Sequence, residues 1–92
     1  MNLAIHILLL VDCNWSNSEA GDGDSRDIGS YGSREDCLAA ALVQLNSDPS
    51  IVGVTFNALN AQGCDVLKYT THLNPNTLPF TADACLFEGK YN

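Results

Sequence analysis

Positive charge is scarce in this chain: Lys and Arg number four, Arg26, Arg34, Lys68 and Lys90, against eleven Asp and Glu, for a net charge of -7. Binding to a phosphate backbone needs clustered cations that release its counterions. The scarcity therefore excludes nucleic acid as a partner and makes an anionic membrane surface a poor one. Long apolar runs are missing too. None reaches the roughly 18 to 20 residues that cross a bilayer, so no membrane span is expected. The four cysteines, Cys13, Cys37, Cys64 and Cys85, include no Cys-x-x-Cys pair, the spacing expected of a zinc site or a thioredoxin-like redox motif.

What is present is an even number of widely spaced cysteines in a chain of 92 residues. A single domain of this size has a small core and a thin margin of stability, so covalent staples are valuable. The cysteines read as a disulfide framework made in an oxidising compartment. Four cysteines permit three connectivities, and the count alone does not choose among them.

Leu3 to Val11 is the most apolar stretch and has two readings. It has the length of a secretory h-region, and Ser18-Glu-Ala20 resembles a small-residue cleavage site, although no Lys or Arg precedes it. Alternatively it is a first β-strand, rich in Ile, Leu and Val. Cleavage after Ala20 would remove Cys13 and leave an odd cysteine, which favours the retained strand; a start inside a longer secreted protein would also account for it. The expected organisation is an apolar strand or signal-like segment over residues 1–12 and a domain over 13–92.

Asn14-Trp15-Ser16 is an N-glycosylation sequon, relevant if the chain is secreted by a eukaryote. Residues Ser16 to Ser33 are rich in Gly, Ser, Asp and Asn and read as a loop. Asp22, Asp24 and Asp27 within it fail the EF-hand order, because Arg26 and Asp27 stand where a ligand and the turn glycine belong and Ser33 replaces the closing glutamate. A solvated acidic loop is the better reading, and no metal is expected.

Ser33 followed by Asp36 resembles a capping box, and Glu35 and Asp36 place negative charge at the positive end of a helix dipole. The spacing of Cys37, Leu38, Ala41, Leu42 and Leu45 predicts a helix from about Arg34 to Asn46 with one buried stripe. Pro49 stops it. Ile51 to Asn57 is β-branched and aromatic, hence a strand. Ala58 to Gly63 is a connection and Cys64 to Tyr69 the returning strand of a hairpin. Thr70 to Thr81 reads as a long surface loop, Ala84 to Phe87 as a short last strand, and Glu88 to Asn92 as a polar tail.

In their order these features resemble the PAN/apple family of extracellular modules, in which a helix packs on a twisted antiparallel sheet. Asp27-Ile28 is similar to the family's Asp-aliphatic element, and Cys37 to the first cysteine of its helical Cys-x-x-x-Cys. Val54 and Phe56 match the two core positions of its strand, Cys64-Asp-Val-Leu67 its hairpin return, and Cys13 and Cys85 its joined terminal cysteines. The resemblance spans roughly residues 13 to 86. Two positions depart together: the second helix cysteine falls at Ala41 and its usual partner at Ile51, as an apolar contact replacing a bond would require. The resemblance implies a disulfide-stapled α+β fold with Cys37 joined to Cys64 and Cys13 joined to Cys85. In the chain-entropy treatment a loop of roughly 28 residues is worth about 3 to 4 kcal/mol, and the longer one a little more.

A Cys-His nucleophile pair with His6 or His72 as base would need a thiolate in an electropositive setting, which an acidic chain with paired cysteines does not offer. No enzyme and no cofactor is expected. His72 reads as exposed and His6 as packed. Trp15, Tyr31 and Tyr69 are the candidate binding residues, able to stack on a sugar or anchor a protein, although covering the edge of a small core is the favoured reading of each. The Thr-rich loop from Thr70 to Thr81 has the composition of an O-glycosylated segment. The expected function is a secreted, non-catalytic module that binds protein or carbohydrate. The alternative is a self-assembling subunit of an extracellular filament or matrix that pairs through Leu3 to Val11. A small secreted inhibitor or effector is a third reading.

Overall fold

The structure, a computed structural model, describes residues 11–78 and 82–89. Among the described residues eight elements follow one another: β1 (Val11–Cys13), β2 (Ser16–Ala20), β3 (Asp24–Ser30), α1 (Arg34–Leu45), β4 (Ile51–Asn57), β5 (Gly63–Lys68), β6 (Leu73–Pro75) and β7 (Asp83–Gly89). All strand pairs are antiparallel. The sheet runs β3-β5-β4-β7-β2-β6, with β1 also paired to β7. The α+β class, with one helix among the described residues packed on an antiparallel sheet and two disulfides, is as expected. Leu3 to Leu10, with His6, lie outside the described residues, as do residues 79–81 and 90–92.

The helix starts where the cap chemistry puts it. Ser33 is extended (φ -157°, ψ 163°), and its hydroxyl accepts from the Asp36 amide at 3.1 Å. One orphan donor of the first turn is thereby satisfied, and Glu35 and Asp36 complement the dipole. Cys37, Ala41, Leu42 and Leu45 form the buried stripe, and Asn46 closes the helix. They pack on Ile51, Val54 and Phe56 of β4, Cys64 and Val66 of β5, and Cys85 of β7. Ala41 and Ile51 are both buried in this cluster.

Alternation along the strands gives the sheet a second face. Gly53 stands opposite Leu67 on one side and Leu86 on the other, all pointing away from the helix. A Cβ on Gly53 would sit 2.5 Å from the Cys85 carbonyl oxygen, so β4 and β7 approach here only because the residue is glycine. The next row of that face is Asp27, Asp65, Thr55 and Ala84.

Three expectations need correction. The stretch from Ser16 to Ser33 is not one loop: it holds β2 and β3, joined by a turn at residues 21–23. These strands form by backbone pairing to β7, β6 and β5, while their side chains are nearly all polar and solvent-facing. An apolar alternation that a reader would recognise is therefore missing. The Thr70 to Thr81 loop is likewise interrupted by β6, whose Pro75 is tolerated because β6 is the outermost strand. The last strand extends to Gly89 and so takes in the start of the supposed tail.

Candidate recognition surface

The structure joins Cys13 to Cys85 and Cys37 to Cys64, with Cα atoms 5.4 and 5.6 Å apart. One bond ties β1 to β7 and the other ties α1 to β5. No cysteine thiol is free, so none can supply a thiolate.

Trp15 occupies the two-residue break between β1 and β2. Its backbone is fixed from both sides: Cys13 is bonded to Cys85, and Ser16 pairs with Ala84. The indole is half-buried against the core, and the Arg34 guanidinium lies 5.5 Å from its ring centroid. Arg34 is the first residue of α1, so the Ser33 cap sets its position. Its Nη1 donates to Asp83 Oδ2 at 3.2 Å, and both side chains remain partly exposed. Three elements, the β1–β2 break, the start of α1 and the start of β7, thus bring an indole, a guanidinium and a carboxylate together. Asn14 is exposed beside them.

Tyr31 belongs to the same end of the molecule. Its amide donates to the Gln62 carbonyl at 3.0 Å and its hydroxyl to the Ile28 carbonyl at 3.2 Å, leaving the ring half-buried at the core margin. Tyr69 is placed elsewhere. It follows β5 at the opposite end of that strand, about 20 Å away by strand rise, in a left-handed conformation (φ 60°) and 66% exposed. Its amide donates to Ser50. Trp15 and Tyr31 therefore flank the start of the helix, and Tyr69 shares no surface with them.

The acidic residues around the β2–β3 turn serve the fold. Asp22 accepts from the Thr71 amide at 2.7 Å and from its hydroxyl, while buried Thr70 donates to the Asp22 carbonyl. The Thr71 hydroxyl is the main cause that holds the Asp22 carboxyl below its ordinary value. His72 is exposed, 3.9 Å from that carboxylate. Gly23 takes φ 80° where a Cβ would meet the Lys68 carbonyl oxygen. Asp24 and Asp27 lie on β3, and Asp27 accepts from the Gly29 amide at 2.8 Å. Among the described residues no three His, Cys, Asp or Glu side chains gather as a metal site would require. No described helix is long and apolar enough to cross a membrane.

Two residues of this surface, Arg34 and Asp83, were not singled out from the sequence. The helix cap signal fixes where Arg34 stands, but nothing local announces Asp83 or Trp15 as its neighbours. No known protein family matches the chain, and neither the curated proteins nor the solved structures provide a match.

Proposed function

We propose that this chain is an extracellular, non-catalytic recognition module of the PAN/apple type that binds a protein or carbohydrate ligand at the surface where Trp15, Arg34 and Asp83 meet. The observation that carries this reading is the indole–guanidinium–carboxylate contact itself. A partly exposed aromatic ring offers a low-entropy apolar contact to a sugar face or a side chain. The guanidinium and carboxylate beside it supply directional donors and acceptors. The Cys13–Cys85 bond and the helix cap hold the group in place before a ligand arrives, which lowers the ordering cost of binding. The two disulfides support an oxidising, extracellular setting.

A glycan array and a pull-down from extracellular fluid with the folded protein identify ligands. Trp15→Ala and Arg34→Ala are expected to weaken binding by tenfold or more, on the order of a modest hot spot, and Tyr69→Ala to leave it unchanged. The reverse pattern overturns the assignment. Asn14 adjoins this surface, so a glycan there would hinder the same contact; enzymatic removal should then raise affinity.

The second reading, a self-associating subunit, has one favouring observation: β1 is paired to β7 alone, so its other edge is open among the described residues. The segment that would extend that edge, Leu3 to Leu10, lies outside them. Deleting residues 1–12 abolishes assembly on this reading and leaves a binding module monomeric and active on the first.

A further inference from the structure

Among the described residues the sheet ends at β3, and that edge is open. Its one ladder partner there is β5, and Asp24, Ser25, Arg26 and Asp27 are all exposed. An exposed strand edge presents unpaired N–H and C=O groups, the template for adding a strand. Past Asp27 the template is interrupted: the register shifts between Asp27 and Gly29, and the Gly29 amide is taken by Asp27 Oδ1. The straight run available is therefore Asp24 to Asp27, roughly 13 Å of strand.

The charge along this run selects what can dock. Its cation, Arg26, is engaged toward the helix, donating to Gln44 Oε1 at 2.9 Å. Asp27 stands directly across from Asp65 on the helix-free face, a like-charge pair with no cation on either member among the described residues. Such a pair destabilises a sheet, and a cation placed on the outer flank of Asp27 relieves it. A second copy of β3 would bring further carboxylates to the same place. We propose that the β3 edge receives an extended, Lys- or Arg-bearing peptide segment of a partner protein as an added strand, with a basic side chain facing Asp27.

This surface is distinct from the Trp15 surface, so the two stand or fall separately. The test is a ¹H–¹⁵N titration of the intact, oxidised protein with an alternating Val-Lys peptide, and with its Val-Glu counterpart. Saturable shifts at the amides of Asp24 to Asp27 with the Lys peptide alone, weakening with added salt, are expected. Asp27→Asn keeps an acceptor for the Gly29 amide and so keeps the bulge. It should weaken the Lys peptide about two- to fivefold, the scale of one cross-strand charge pair. Equal response to the Glu peptide, shifts away from β3, or no saturation at millimolar peptide overturns the proposal. So does concentration-dependent shifting of the same amides without peptide, which would make a second copy the occupant.

Discussion

The two halves of the sheet are built by different means. Beneath the helix, β4 and β5 bury Ile51, Val54, Phe56, Cys64 and Val66 almost completely. On the far side of β7, β2 buries only Ser18 and β6 buries nothing. That outer half is held by its ladder and by polar ties: Ser16 to Ser18 at 2.8 Å, Asn76 to the Asn17 carbonyl at 3.1 Å, Gly21 to the His72 carbonyl at 2.9 Å, and the Asp22 contacts with Thr70 and Thr71. A buried aliphatic or aromatic side chain contributes about 1.5 to 3 kcal/mol, a hydrogen bond about 1 net. The helix half therefore carries the stability. The outer half depends on being fastened to it, and Cys13–Cys85 is the fastening.

Removing the disulfides breaks this contrast most severely. In the chain-entropy treatment, the separation of 72 residues closed by Cys13–Cys85 corresponds to about 4.4 kcal/mol, and that of 27 closed by Cys37–Cys64 to about 3.6 kcal/mol. Replacing both pairs by Ala approaches the whole stability of a small domain and should unfold it. Cys13→Ala/Cys85→Ala should free the outer half first, with amide exchange rising in β1, β2 and β6 while α1 stays protected. Cys37→Ala/Cys64→Ala should instead expose α1, because both sulfurs lie in the core. An unchanged unfolding midpoint in reductant would contradict the fastening role of both bonds.

Core truncation measures the contrast more gently. Phe56→Ala is expected to lower stability by about 3 to 5 kcal/mol, whereas Ser18→Ala, the buried residue of β2, should cost about 1 kcal/mol. Urea midpoints of the two variants compare the halves directly. Near-equal losses would mean that the polar half is packed as tightly as the apolar one.

The same division explains what the sequence disclosed. The helix and the β4–β5 hairpin were legible because Cys37, Ala41, Leu42 and Leu45 recur at helical spacing and Ile51 to Asn57 is β-branched and aromatic. β2 and β3 were not, since Ser-Asn-Ser-Glu-Ala and Asp-Ser-Arg-Asp-Ile-Gly-Ser carry no two-residue apolar period. Their strand state comes from partners distant in the chain. The recognition surface was half legible. Trp15 and Tyr31 were visible as aromatics in a polar stretch, but the Arg34–Asp83 contact spans 49 residues and exists only once β7 returns beside the helix start.

Ser33→Ala tests how far the helix half relies on local chemistry rather than on burial. Loss of the cap hydroxyl leaves the Asp36 amide without its acceptor and should cost about 1 kcal/mol. Because the cap also positions Arg34, this variant should weaken any ligand of the Trp15 surface more than its small stability loss implies. Ser33→Asp, which restores an acceptor, should recover both; thermal unfolding and ligand titration read them in parallel.

The smallest effect sharpens the contrast within the helix half itself, where two carboxylates respond to acid with opposite sign. The Ser50 hydroxyl, and then Lys68, hold Asp48 down to about 2 from 3.8. Its contribution is present above 3.8 and is lost as pH falls from there toward 2. Asp65 is raised, first by desolvation and then by Asp27 across the ladder. The folded state binds that proton more tightly than the unfolded one, so Asp65 opposes folding at neutral pH, and the opposition is relieved as pH falls through its raised value toward 3.8. Asp65→Asn should therefore raise the unfolding temperature slightly at neutral pH and make no difference in acid, while Asp48→Asn should lower it at neutral pH and make no difference once both forms are uncharged. If the Asp65→Asn gain persisted undiminished in acid, the cause would be packing on the helix-free face rather than charge, and the like-charge pair beside the open β3 edge would lose its electrostatic meaning.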